Sequence, residues 1–187
     1  ARGEVAAVRR ELARDPEFAR ARDESGLTAL QCCAGSRLGA RDLRRAKRLR
    51  ETAALLLDHG ADPNARVRSW GKDVDVCYFA IGAGQLELLG LLLERGADAN
   101  AALVSAMWRK GDGFVAFAEL ALENGAHPDR AFSEDRPLLN ELVRWGQFTP
   151  ALWLLERGAD PNVADPRGWT ALHQAASRGN DRVFRAL

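Results

Sequence analysis

Gly60-Ala61-Asp62-Pro63-Asn64 does not occur once. Near-copies return at Gly96-Ala97-Asp98-Ala99-Asn100, Gly125-Ala126-His127-Pro128-Asp129 and Gly158-Ala159-Asp160-Pro161-Asn162, a period of about 33 residues. Each copy follows an apolar run of helical character: Ala53–Leu57, Leu88–Leu93, Glu119–Leu122 and Ala151–Leu155. A glycine directly after such a run can take the left-handed conformation that ties off the last carbonyls of a helix. The Asp-Pro-Asn that follows sets a turn. Each unit therefore reads as helix, stop and turn.

Working outward, a second signature stands further along the unit. It is clearest in Asp165-Pro-Arg-Gly168-Trp-Thr170-Ala-Leu-His173-Gln-Ala-Ala176 and recurs in Asp23-Glu-Ser-Gly26-Leu-Thr28-Ala-Leu30. Threonine at the head of an apolar helical run is an N-cap. The Thr-Ala-Leu-His-Gln-Ala-Ala run resembles the Thr-Pro-Leu-His-x-Ala-Ala signature of the ankyrin-repeat family, and the Gly-Ala-Asp-x-Asn strings resemble its repeat boundary. The resemblance implies an all-α ankyrin-repeat solenoid of stacked helix-turn-helix units with hairpin or loop connections. It extends over essentially the whole chain, read as one domain, 1–187. Residues 1–22 are expected to form N-terminal capping helices, with a helix pair over 5–21. Repeats are expected over about 23–64, 65–100, 101–129, 130–162 and 163–187, the last incomplete. That last unit stops within its second helix, at Phe184-Arg-Ala-Leu187. Repeat arrays need polar ends, so continuation of the natural chain is favoured over a finished cap.

The chain of 187 residues is 47% hydrophobic and 28% charged, enough to bury a core. No stretch approaches the length of a membrane-spanning helix, and the first residues carry no signal-like apolar run. Three cysteines, Cys32, Cys33 and Cys77, cannot all pair within one chain and read as reduced core residues of a soluble, cytoplasmic protein. The 27 basic and 26 acidic residues nearly cancel, so any case for a polyanionic partner is local.

The departures from the repeat carry the specific information. In the first unit, Thr28 to Asn64 is about 11 residues longer than the family pattern, and the excess around Arg37–Lys47 is strongly basic. Leu43, Ala46, Leu49, Ala53 and Leu56 keep helical spacing, so the second helix of this unit is expected to extend at its N-terminal end. Arg41, Arg44, Arg45, Arg48 and Arg50 lie on it. Two readings stand for them: a helix solvated by arginine, or an anion-binding face for nucleic acid or another anionic surface. In the second unit the hairpin Ala65–Asp73 is long, and Asp75 replaces the capping threonine. The third unit runs from Asn100 straight into Ala-Ala-Leu-Val-Ser, leaving no room for a hairpin, and the fourth has a polar hairpin over Ala131–Arg136.

No catalytic constellation emerges. The three histidines sit at a helix end, in a boundary string and in the signature, and there is no metal-ligand spacing, phosphate loop or nucleophile elbow. No metal site, no cofactor and no enzymatic activity are expected. What remains is surface, where Trp and Arg carry most binding energy in protein interfaces. Trp153 lies in a leucine-rich helix and reads as core. By analogy with ankyrin proteins, which hold partners on their concave side, Trp70 and Trp169 would sit on hairpins. Trp108 and Trp145 would sit late in the first helices of their units. With Phe79, Arg109, Arg144, Arg167 and Arg178 they make the expected partner-binding set. The expected function is a non-catalytic protein–protein interaction module, an adaptor, scaffold or inhibitor. The alternatives are anion or nucleic-acid binding through 37–52, or the targeting domain of a larger enzyme.

Overall fold

The computed structural model describes residues 5–39, 42–69, 71–129, 131–133, 135–179, 181–185 and 187, with the backbone alone at 131, 133 and 182. Its elements are α1 (Val5–Arg14), α2 (Ala29–Ala34), α3 (Leu43–Asp58), β1 (Val67–Ser69), β2 (Lys72–Val74), α4 (Val76–Ala83), α5 (Leu86–Glu94), α6 (Ala99–Met107) and α7 (Val115–Glu123). There follow β3 (Ala131–Ser133), β4 (Arg136–Pro137), α8 (Leu138–Arg144), α9 (Phe148–Glu156), α10 (Ala171–Arg178) and α11 (Asp181–Phe184). Helix pairs joined by short turns, with two-stranded antiparallel hairpins between some of them, make this the all-α ankyrin-type architecture expected from the repeat.

Two compact units divide the chain, Ala1–Ser105 and Ala106–Leu187. In the first, α2 packs on α3 and α4, α3 on α1 and α5, and α4 on α5. First helices thus stack on first helices and second on second. Leu30, Leu49, Leu56, Ile81, Leu89 and Leu92 fill its interior. In the second unit α8 packs on α9 and α10, and α9 on α11, around Phe114, Leu138, Leu142, Leu154 and Ala175.

The boundary strings work as their residue types demand. Gly60, Gly96, Gly125 and Gly158 all have φ between +84° and +90°, the left-handed region that a side chain strains. That turn lets the next amide reach back: Ala61 N–H donates to Leu56 O at 3.0 Å, Ala97 to Leu92 at 2.9 Å, Ala126 to Ala121 at 3.0 Å and Ala159 to Leu154 at 3.2 Å. Each second helix therefore ends with its orphan carbonyls satisfied. The strings also tie consecutive repeats together. The Asn64 amide donates to Gly96 O (2.9 Å) while its oxygen accepts from Asp98 N–H (2.8 Å), and Asp129 accepts from Asp160 N–H at 2.6 Å.

The irregular units follow the expected pattern with one difference. Helix α3 has 16 residues where α5, α7 and α9 have 9 each. Strands β1 and β2 pair in the register Val67↔Val74, and the Asp75 carboxylate accepts the Tyr78 N–H at 2.9 Å, capping α4. Helix α6 begins at Ala99, inside a boundary string, so the third unit has no hairpin. The difference lies at the N-terminus, where a helix pair over 5–21 is replaced by α1 and a single 3-10 turn, Pro16–Ala19. Asp15 accepts the Glu17 N–H at 3.0 Å, and Pro16 cannot continue α1.

One helix end departs from the scheme and is rescued from a distance. Helix α2 closes on Gly35 with φ −78°, not left-handed, because the inserted segment leads the chain elsewhere. Its last carbonyls are instead met by Gln85 of the next repeat, whose Nε2 donates to Cys33 O (3.0 Å), Ala34 O (2.7 Å) and Ser36 O (3.0 Å). Gln85 is itself buried. Replacing it with leucine of similar size leaves those carbonyls without their donor, at a cost of about 1–3 kcal/mol. Gln85→Leu is therefore expected to lower the urea midpoint with an unchanged slope, and an unaltered midpoint would show that water replaces the amide without loss.

Candidate functional site

Four first helices share one position, three residues after the capping site: Gln31, Tyr78, Asn140 and His173. Its natural use is to span repeats. Gln31 Nε2 donates to Ala65 O at 3.0 Å, and Asn140 Nδ2 to Val163 O (3.2 Å) and Trp169 O (2.8 Å), so each fastens the following loop. Tyr78 precedes the repeat without a hairpin and has no such backbone to meet. Its ring stands 50% exposed, edge-on to Phe79 at 5.8 Å. Phe79 is half-buried, and its Cδ1 lies where a Cβ on Gly35 would approach to 3.1 Å. Of this pair the outward residue is Tyr78, which was missed; its place in the histidine position of the signature is the signal that could have found it.

At the fifth repeat, the turn Asp165–Trp169 forms a closed arch. Asp165 N–H donates to Trp169 O at 2.8 Å, while Asp165 Oδ1 accepts from Arg167 N–H (2.9 Å) and Trp169 N–H (3.0 Å). Arg167 donates to Asp165 Oδ2 at 2.7 Å and 3.1 Å, and its guanidinium lies 5.2 Å from the Trp169 ring. Burial alone pushes the Asp165 carboxyl up. The Arg167 side chain and the Trp169 and Arg167 amides outweigh it and hold the group below the usual aspartate range. The Trp169 ring is 38% exposed, beside Leu172 at 42%, with His173 tilted against it at 6.1 Å. His173 Nδ1 accepts the Thr170 N–H at 3.2 Å, which places any single ring proton on Nε2. Arg178 is exposed in the last turn of α10.

The fourth repeat builds a second aromatic display. Trp145 is the C-cap of α8, one step past the helix rather than within it, and is 58% exposed. Its Nε1–H donates to Glu141 Oε2 at 3.0 Å. Glu141 is only 3% exposed and also meets Arg144 at 3.1 Å and Arg136 at 3.7 Å. Arg144 lies 5.6 Å from the Trp145 ring. A buried acid thus holds the indole by its nitrogen and leaves its face outward. Glu141, four residues before Trp145 in an apolar helix, was not among the expected site residues.

Two expected residues are turned inward. Trp108 directly follows α6, contacts Phe132 at 5.5 Å, and its Nε1 is buried with no hydrogen-bond partner among the described residues. Arg109 covers Phe117 at 4.8 Å and donates to Gly113 O at 3.1 Å. Trp153 is core, as expected, against Phe114 at 5.6 Å and beneath Arg157 at 4.5 Å. Trp70 and Arg41 lie outside the described residues. Arg44, Arg45, Arg48 and Arg50 are all exposed on α3, and Arg45 meets Asp42 at 3.4 Å.

Burial pushes the Cys33 thiol up to about 12, and raises Cys32 and Cys77 as well, which suppresses thiolate chemistry at neutral pH. Among the described residues no three His, Cys, Asp or Glu side chains are placed to share a metal ion, and no helix is long and apolar enough to cross a membrane.

Residues 25–68 match the sequence profile of the ankyrin repeat and residues 151–187 that of ankyrin repeats in many copies. Human Rabankyrin-5 is 29% identical over 149 residues, 79% of this chain but 11% of its own length. Ankyrin repeat domain-containing protein 46 of rat is 54% identical over 51 residues, 27% of this chain and 22% of its own, and the zebrafish protein of that name is 52% identical over 44 residues. The chain therefore matches less than a quarter of the length of each of these relatives. With glycine-closed boundary strings and helix pairs stacked within each unit, it belongs to the ankyrin-repeat family, whose members generally bind other proteins and do not catalyse reactions.

Proposed function

We propose that the chain is a cytoplasmic, non-catalytic module that captures a protein partner, as an adaptor, scaffold or inhibitor, through exposed aromatic anchors backed by arginine. The observation that supports this reading is that Trp145 and Trp169 stand outward yet are fixed from behind, one by buried Glu141 and the other by the Asp165–Arg167 arch. An anchor already held in place loses little conformational entropy on binding, and exposed tryptophan ringed by arginine is the composition that dominates interface energy. Tyr78 and Leu172 add exposed apolar area. Arg144, Arg167 and Arg178 supply donors around the anchors. Phe79, Trp108 and Arg109 are half-buried, and with Trp70 they complete the residues proposed to take part in binding.

Capture of partners from the native host, followed by mass spectrometry, tests this directly. Tyr78→Ala, Trp145→Ala and Trp169→Ala each remove an exposed ring, so the fold should survive while affinity for the captured protein falls. A central anchor is worth about 2 kcal/mol or more, about thirtyfold. Undiminished capture by the triple variant would sink the proposal.

The arch adds a pH signature. Because Asp165 has a lowered carboxyl pKa in the fold, its stabilisation is present above the unfolded value of about 3.9 and is lost as pH falls through the lower folded value. A carboxyl carbon titration by NMR should place the Asp165 midpoint below that reference. Asp165→Ala should loosen Trp169 and weaken partner capture as Trp169→Ala does. A midpoint at or above the reference would contradict the arch as the device that holds Trp169.

A further inference from the structure

We infer that the N-terminal tip of α3 is a peripheral docking site for an anionic phospholipid bilayer, with Leu38 and Leu43 entering the headgroup layer and a collar of basic side chains engaging lipid phosphates. The inference rests on a feature that the protein-binding surface leaves unused. Helix α3 has 16 residues, whereas α5, which packs on it, has 9. The excess is about 10 Å of helix, and it lies at the N-terminal end: the first fully buried side chain of α3 is Leu49.

The projecting turns carry an unusual combination of residues. Leu43 is 88% exposed and Leu38, in the turn just before the helix, is 42% exposed. Arg37, Arg44, Arg45, Lys47 and Arg48, on the same turn and helix end, are also exposed. The turn is held against the helix, because Gly39 sits so close to Ala46 and Leu49 that an added Cβ would lie 3.2 Å and 3.3 Å from their atoms. Leu38 is therefore kept at the same end of α3 as Leu43. The one acid at the tip, Asp42, is already neutralised: it accepts the Arg44 and Arg45 N–H groups and pairs with the Arg45 side chain at 3.4 Å. Arg44, Lys47, Arg48 and Arg50 form no ion pair among the described residues, which leaves their charge available to a partner.

Charge alone would suit any polyanion, but the leucines decide between them. Nucleic acid is held by phosphate contacts together with base edges or stacking aromatics, and no Phe, Tyr or Trp lies between residues 19 and 69. Two leucines at a protruding, cation-ringed tip have no role on a phosphate backbone. They match the chemistry of a bilayer surface, where apolar residues enter the acyl boundary and Lys or Arg meet anionic headgroups.

Co-sedimentation of the whole chain with vesicles tests the inference. Vesicles of phosphatidylcholine with about 30 mol% phosphatidylserine should bind and pure phosphatidylcholine should not, with loss of binding as salt rises towards about 0.5 M. The charge-neutral double variant Leu38→Ser/Leu43→Ser should reduce partitioning about fivefold or more, and Arg44→Glu/Arg48→Glu about tenfold or more. All four positions are exposed, so both variants should keep the wild-type urea midpoint. Three results would overturn the inference: no preference for the anionic vesicles, a serine variant that binds as well as the wild type, or tighter binding to a duplex or single-stranded oligonucleotide than to the vesicles. Loss of vesicle binding with intact partner capture, or the reverse, separates this site from the aromatic one.

Discussion

A helix of six to nine residues cannot satisfy its own ends, and in this chain side chains that meet backbone groups repeatedly reach from one repeat to its neighbour. Four amides at the start and four carbonyls at the finish of each helix have no partner within it. Left-handed glycines close the second helices locally, but the closure leaves Asn64 and Asp129 positioned to meet the backbone of the next boundary string. Gln31 and Asn140 do the same between a first helix and the loop that follows it. Gln85 caps α2 from the adjacent repeat. Backbone satisfaction and the stacking of repeats are thus one requirement, which is why a short-period string suffices to specify an extended core.

The candidate surface arises where that requirement is relaxed. A side chain three residues into a first helix is consumed by the next hairpin when there is one, as Asn140 is. Before the repeat in which α6 starts inside its boundary string, nothing consumes it, and the residue there is an exposed tyrosine. Trp145 and Trp169 reach solvent by a different route: each lies just outside a helix, and each is steadied by a carboxylate that is itself 3% or 6% exposed. Those carboxylates are tolerable inside because arginines and amides surround them. Order and exposure, usually opposed, are combined by placing the charge beneath the ring.

Most of the fold was legible because it depends on local chemistry repeated at a fixed period. Gly60 through Asn162 announced helix ends, Asp75 announced a cap in place of threonine, and the surplus length before Leu49 announced a longer helix. The N-terminal pair was misjudged because apolar spacing over Val5–Phe18 does not reveal that Pro16 confines the second element to one 3-10 turn. The surface was less legible. Whether Phe79 or Tyr78 faces outward depends on Gly35, 44 residues before Phe79 in sequence, and whether Trp108 is displayed depends on Phe132. Such pairings are properties of stacking. Glu141 escaped notice since an acid in an apolar helix reads as solvated until its two arginines and an indole are seen around it.

The two candidate surfaces are of different physical kinds, and the difference follows from how their arginines are employed. Arg144 and Arg167 are each committed to a buried carboxylate and lie against an indole, so their charge is largely compensated and their contribution is orientation and contact area. Arg44 and Arg48 have no such commitment, and the four-residue spacing between them costs the helix a few tenths of a kcal/mol. Helix α3 tolerates this because Asp42 caps it and because Leu49, Thr52, Ala53 and Leu56 anchor its other half. A segment held at one end and charged at the other responds to ionic strength, whereas the tryptophan displays, whose arginines are paired to buried acids, are governed more by desolvation. One chain so built can answer to two partners whose binding obeys different physics, without either surface constraining the other's residues.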